Sequence, residues 1–372
     1  MAVIGSLYFI VFIKLIMLSV ITMDQRGKKY TGLSLFISFV SLVLLAGLRE
    51  ASPDQQTYAL IFQNTQSLFS PLVYGAKEQF SNVEVGFLAL LSVIKTVTAN
   101  ETLMFIMLAG VTIGPIVYAS KRLSPYPLLS ILIYFSWFYY FNLGALRHAL
   151  ISSLLLLTIV FVVDNKFFKT WASYITPVLI HKVGLFIGIV YLVKKLKLEA
   201  RTYFAILLIS LGVAIFGGIF FLLFEFFSDY LPEAWNEKLY LYVTFSESGA
   251  FDTNFAGSER ILKGSTIKQL FVVLVCLRYF SALRLKFRNK FDIIFGLYIS
   301  SIIVGLIFID FKIVSDRVSN YLAISEIILL PMVLSIVVMR DRILILFAIF
   351  SLMFLQLSML YGNQLYLYKT AL

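Results

Sequence analysis

Twelve apolar runs, divided by short connections rich in lysine and arginine, restrict what this chain can fold into more than any other feature. They lie near residues 2–22, 31–48, 83–97, 102–120, 126–141, 145–163, 170–193, 202–226, 266–284, 291–311, 318–339 and 343–361. A helix that spans a bilayer needs about 20 apolar residues, and a strand far fewer. A water-soluble core cannot absorb these runs. Of the 372 residues, 60% are hydrophobic and 14% charged, whereas a soluble domain carries roughly 25% charged residues. Lipid requires each segment to satisfy its own backbone polar groups. The expectation is an all-α polytopic integral membrane protein with about 11–12 transmembrane helices. It forms a single transmembrane domain over residues 1–372, because no linker or internal repeat divides it. The first run lacks a basic flank and a cleavage signal, which predicts a retained helix.

The net charge of +11 resides mostly in the connections. That distribution is a topology signal, and it argues against nucleic acid as a partner. Arg26-Gly27-Lys28-Lys29, Lys121-Arg122, Lys166/Lys169, Lys194-Lys195 with Lys197 and Arg201, Arg284 to Lys290, and Arg340/Arg342 are expected on the cytoplasmic side. Residues 49–82 and 227–265 then become the two large external loops. Two stretches strain this parity. An odd number of crossings must separate 49–82 from Lys121, so 83–97 is short, tilted or re-entrant. An even number must separate Lys169 from Lys194, yet 170–193 is long enough for one. A helix pair broken near His181-Lys182 resolves this, since broken backbone at membrane depth persists where it lines a cavity; the alternative is one basic cluster that lies on the other side.

The polar residues left over gather on the expected external side. Ser52-Pro53-Asp54-Gln55 reads as a helix start with Ser52 as cap. Such a start attracts anions, and Arg49 beside it carries a fork suited to phosphate. The same arginine also fits a residue snorkelling to headgroups. Asn142 to His148 joins two runs behind a ring-rich stretch, Tyr134 to Phe141. Those rings suit an interfacial belt or a stacking surface for sugars and prenyl chains. Arg147 and His148 open a helix that has no other charge before Asp164, and ionisable residues so placed usually face the bundle interior. His181 is either a satisfied packing residue or a functional one at a break. Asp316-Arg317 starts a later run, with Tyr321 one turn on. Acids and aromatics mix in 227–265, which suits carbohydrate or a solvated lid. With two histidines and one cysteine, Cys276, a protein-held zinc is not expected, and no phosphate loop, nucleophile elbow or zinc-protease motif is present.

Taken in order, these residues resemble a family. Arg49, Asp54 and Tyr58, followed by Glu84-Val85-Gly86-Phe87, are similar to the opening of EpsG-like polysaccharide polymerases, within the broader Wzy-type O-antigen polymerases. Asn142, Arg147-His148-Ala149, then His181, then Arg317, Tyr321 and Pro331 resemble its later segments. Two positions depart: His148 stands where the family usually has glutamine, and Ser52-Pro53 replaces a glycine before Asp54. The resemblance implies a GT-C-like membrane glycosyltransferase in the bacterial inner membrane, its active site facing the periplasm. It implies undecaprenyl-diphosphate-linked oligosaccharides as donor and acceptor, with membrane lipid and a chain-length regulator as further partners, and neither cofactor nor metal. Arg147, Arg317 and Arg49 would meet diphosphate, and His181, then Glu84 or Asp54, would serve as base. Tyr58, Asn142, His148 and Tyr321 would line the substrate. An O-antigen ligase shares this donor and architecture. A lipid-linked oligosaccharide flippase is the rival of another class, disfavoured by the absence of related halves. An integral-membrane acyltransferase would need a clearer acid–base pair.

Overall fold

The computed structural model describes residues 2–49, 52, 54–68, 83–216, 226 and 264–362. Half of the expected external loop 49–82, including Glu50, Ala51 and Pro53, and nearly all of 227–265 lie outside the described residues. So does Gly217-Gly218, a pair that the sequence offers for helix packing. Every regular element described is helical, and no β-strand occurs among the described residues.

The chain divides into two compact units, Met1–Gly188 with Glu326–Leu372, and Ile189–Ser325. The first holds α1 (Ala2–Met23), α2 (Thr31–Gly47), α3 (Gln55–Asn64), α4 (Val85–Val97), α5 (Glu101–Leu123), α6 (Pro127–Trp137), α7 (Phe141–Gly144), α8 (Leu146–Val163) and α9 (Phe167–Ile180). A 3-10 turn, Lys182–Ile187, follows α9, and α10 (Gly188–Leu196) begins at the unit boundary. The second unit holds α11 (Ala200–Ile215), α12 (Gly264–Arg278), α13 (Phe280–Phe287), α14 (Asn289–Ile307) and α15 (Lys312–Ala323). Finally α16 (Glu326–Leu334) and α17 (Met339–Gly362) return to the first unit.

Among the described residues five helices are long and apolar enough to cross a bilayer: Lys28–Gly47, which is α2 with its leading turn, α5, α8, α14 and Arg340–Ser358 within α17. Leu7–Met23, α4, α6 and α11 are apolar but shorter. Eleven or twelve full-length spans are therefore not met among the described residues. At 1.5 Å per residue, α4 covers roughly 20 Å and α6 roughly 17 Å, against a hydrocarbon core near 30 Å. The stretch 83–97 forms a short helix, as its apolar length suggests.

The helices of the first unit are joined at small residues and polar contacts, as expected where lipid removes the hydrophobic drive between helices. α5 packs between α2 and α8, and α8 against α9. Asn100 caps α5, its side chain accepting from the Leu103 amide at 3.0 Å, worth about 1 kcal/mol. Gly47 at the end of α2 lies so near Ile106 that an added Cβ would come within 2.4 Å of that side chain. Pro177 inside α9 has no N–H, so the Ser173 carbonyl loses its helical donor. The Thr158 hydroxyl of α8 donates to that carbonyl at 3.2 Å, which ties the two helices together. At their far ends Arg122 pairs with Asp164 at 2.7 Å, so the close of α5 adjoins the close of α8. The Lys121-Arg122 connection and the one that carries Lys166 and Lys169 therefore lie at the same end of the α5–α8 pair.

The second unit is built around Arg284. Its guanidinium bonds Asp292 at 2.7 Å, Glu199 at 2.7 Å and the Leu198 carbonyl at 2.7 Å, and lies over the Phe280 ring. Asp292 opens α14 and is buried, where an unpaired carboxylate would be costly.

Candidate functional site

The break after α9 is the organising feature of the site. His181 takes extended backbone (φ −160°, ψ 141°), and its Nδ1 accepts from the Val183 amide at 3.1 Å, capping the 3-10 turn. The chain then folds back on itself. A Cβ on Gly184 would stand 2.2 Å from the Pro177 carbonyl oxygen, so only glycine allows the return. α9 therefore ends at Ile180 with His181 as its cap, where a break is one of two ways to read the charge order.

α4 meets this break by the same device. A Cβ on Gly86 would lie 2.7 Å from the Leu179 carbonyl oxygen and 2.8 Å from its carbon. With only hydrogen there, the start of α4 seats against the end of α9. Glu84, at the N-cap of α4, is thereby delivered to the break. One carboxylate oxygen accepts from the Lys182 amide at 3.3 Å, and the other is ion-paired with Arg147 at the start of α8. The Arg147 side chain is 25% exposed and that of Glu84 15%, so the pair is sheltered yet open to a ligand.

Tyr58 completes the group from α3. It is buried, packs edge-to-face on Phe87 at 5.7 Å, and its hydroxyl lies near enough to Arg147 to feel that charge. Burial holds the phenol above its ordinary value of 10.0, while the Arg147 charge works in the opposite direction. The hydroxyl thus stays un-ionised at neutral pH. Tyr58, Glu84, Arg147 and the His181–Lys182 break form one polar centre drawn from four parts of the chain. From Arg147 to Asp164 is seventeen residues along α8, about 26 Å. The centre and the Arg122–Asp164 end therefore stand nearly a membrane thickness apart.

Other expected residues are placed differently. Arg49 is 4% exposed, neither at the headgroups nor open to a ligand. It donates to the Ala46 carbonyl at 2.6 Å and to the Ser52 hydroxyl at 3.2 Å, and its guanidinium lies 4.6 Å over the Phe105 ring. The Gln55 amide donates to the Arg49 carbonyl at 2.9 Å. Arg49 braces the turn from which α3 presents Tyr58. This corrects the helix-start reading: α3 begins at Gln55 with Asp54 at the cap position, because Ser52 is taken by the buried guanidinium. Asn142 is fully buried and donates to the Tyr134 hydroxyl. His148 is buried with its ring 4.4 Å from that of Phe141. Both pack the α7–α8 corner that aims Arg147. Arg317 is exposed on α15 and Tyr321 is fully buried there, in the second unit. Among the described residues no group of three or more His, Cys, Asp or Glu is placed to hold a metal ion.

Sequence reading missed the two close glycine approaches, the brace at Arg49 and the Arg284 network. The Glu84-Val85-Gly86 spacing was the one available signal for the first of these.

Fold and site together define a multi-pass helical membrane protein with an arginine–carboxylate centre at a broken helix. Residues 32–370 match the EpsG family, and the chain belongs to it, a family of Wzy-like, polysaccharide-polymerase-type membrane proteins. No curated protein and no solved structure matches the chain.

Proposed function

We propose that this protein is a GT-C-like glycosyltransferase of the bacterial inner membrane. It joins undecaprenyl-diphosphate-linked oligosaccharide repeat units at the periplasmic face. The growing chain is the donor. The bond between its anomeric carbon and the diphosphate oxygen breaks, and that carbon bonds to a hydroxyl oxygen at the non-reducing end of the new unit. The hydroxyl proton passes to a base, and undecaprenyl diphosphate leaves with the electron pair.

The observation that carries this reading is the convergence of Arg147, Glu84 and Tyr58 at the His181 break. Charge grows on the leaving diphosphate, and a guanidinium in a sheltered, low-dielectric site stabilises it. In the free protein Glu84 holds Arg147. An arriving diphosphate draws Arg147 to itself and releases Glu84, which then takes the acceptor proton. The cap at His181 favours Glu84 over His181 as base: an Nδ1 that accepts a backbone N–H leaves the hydrogen of a neutral ring on Nε2, a donor for a sugar hydroxyl. Arg317, exposed on α15, keeps the substrate contact that the family pattern implies, whereas Tyr321 is fully buried there. The exposed apolar helix faces suit prenyl tails, and a chain-length regulator fits the class. The periplasmic assignment rests on the basic connections at the opposite end of α8.

The test is Arg147→Ala in cells that make the polymer. Loss of one such donor lowers turnover by about 10²–10³-fold, leaving single-repeat caps. Full-length polymer with a stably expressed variant overturns the assignment. Finished polymer stranded on undecaprenyl diphosphate would indicate a ligase instead.

A further inference from the structure

α2 and α5 lie antiparallel and touch where Gly47 meets Ile106. Toward their other ends they separate around a groove of about 340 Å³, lined by Gly32, Phe36, Phe39, Gly114 and Tyr118, with Lys121 among its walls. That volume falls within the range of small-molecule sites, about 300–1,000 Å³. Glycine in a membrane helix usually lets a neighbouring helix come close. Here it does not: a Cβ on Gly32 would meet nothing within 4 Å, and one on Gly114 only the Phe39 ring edge at 3.9 Å. These glycines keep a space open.

The charge around it is uneven. Arg122 is committed to Asp164 at 2.7 Å, and Lys29 lies over the Tyr30 ring at 4.9 Å. Lys121 forms no ion pair among the described residues and is exposed on the last turn of α5. An apolar slot with a free cation beside it complements a molecule with an apolar chain and an anionic head. From Lys121 to Gly114 the groove runs about 10 Å along α5, which suits an acyl chain lying along the helix. The head would then sit at the end of α5 that carries the basic connections, far from the Arg147 centre.

We propose that the α2–α5 groove binds an anionic phospholipid, one acyl chain between Gly32 and Gly114 and the phosphate on Lys121. This goes beyond the polymerase reading and stands without it.

The experiment is native mass spectrometry of the detergent-purified full chain, titrated with phosphatidylglycerol or with phosphatidylcholine of the same chains. A lysine near the surface contributes about 1 kcal/mol toward an anionic lipid, so phosphatidylglycerol should be held about fivefold tighter. Lys121→Ala should erase that preference. Gly114→Leu, which fills the slot, should lose both lipids, and Gly32→Leu serves if that variant does not fold. Equal retention of the two lipids by the wild type, a preference surviving in Lys121→Ala, or lipid retained by both groove variants overturns the proposal. So does displacement by inorganic phosphate alone, which would mark a free anion site. One-for-one displacement by undecaprenyl phosphate also overturns it, because the groove would then belong to the substrate tail.

Discussion

Gly86→Ala tests the geometry of the centre with a single methyl group. The added Cβ would stand 2.7 Å from the Leu179 oxygen and 2.8 Å from both its carbonyl carbon and its Cβ. Ordinary contact begins near 3.5 Å, and two of the three atoms are backbone, so α4 must withdraw by roughly 0.7 Å. The Glu84 bond to the Lys182 amide is already 3.3 Å and would pass the limit of a hydrogen bond. The grip on Arg147 would shift with it. Overpacking of this kind costs about 1–3 kcal/mol, and a 1 Å misplacement of a catalytic group costs about 10²-fold in rate. The expected outcome is a folded protein, melting a few degrees lower, whose polymerisation rate falls by ten- to a hundredfold. The assay is the ladder formed from a lipid-linked repeat unit, beside a thermal melt in detergent. Gly110→Ala is the control. A Cβ there meets nothing within 4 Å, and replacing a helical glycine gains about 1 kcal/mol. If Gly86→Ala polymerises at the wild-type rate, the α4–α9 approach does not position Glu84 and the reasoning fails.

Arg49→Ala should behave as a loss of structure: the variant forfeits two charged hydrogen bonds and the contact with Phe105, about 2–3 kcal/mol. Arg49→Lys should recover little, since a point charge cannot replace the fork. A melt separates this from a substrate role, which would leave stability untouched. Tyr58 predicts a pH effect. Because burial raises its folded value, its contribution is intact below pH 10.0 and falls as pH rises above that, where the unfolded chain gives up the proton first. Tyr58→Phe should therefore lose less melting temperature between pH 9 and pH 11 than the wild type; an equal loss would contradict the burial argument. Glu84→Gln keeps the shape and removes the charge, so turnover should fall sharply while the melting temperature moves little, and unchanged turnover would remove Glu84 as base.

What could be read from residues alone was whatever depends on composition and charge order. The helical membrane class follows from the apolar runs. A break at His181 is one of two ways to reconcile the basic connections, and the structure ends α9 at Ile180. Glu84 and Arg147 were visible as charges at the edges of apolar runs, where an unmatched charge is conspicuous. Their partnership was not, because it depends on Gly86 and Gly184, whose close approaches belong to tertiary packing. Arg49 shows the limit most clearly. An arginine at a run's end has one appearance whether it snorkels, binds phosphate or braces a turn. The Phe105 ring and the Ser52 hydroxyl decide the matter, and both reach it through folding. Arg284 read as a topology charge, yet it is the hub of the second unit, because Asp292 sits one helical start away. Helix lengths also eluded the pattern: the run 126–141 looks like a span, but α6 stops at Trp137 and the chain turns through α7.

The most direct measurement follows both products of one reaction. Purified protein is given an undecaprenyl-diphosphate-linked repeat unit, and released undecaprenyl diphosphate is counted alongside the oligosaccharide ladder. The wild type should produce the two together, one diphosphate per bond formed, and a folded Arg147→Ala variant should produce neither at a measurable rate. A ladder undiminished in Arg147→Ala, or a wild type that yields no ladder from this donor, would contradict the account.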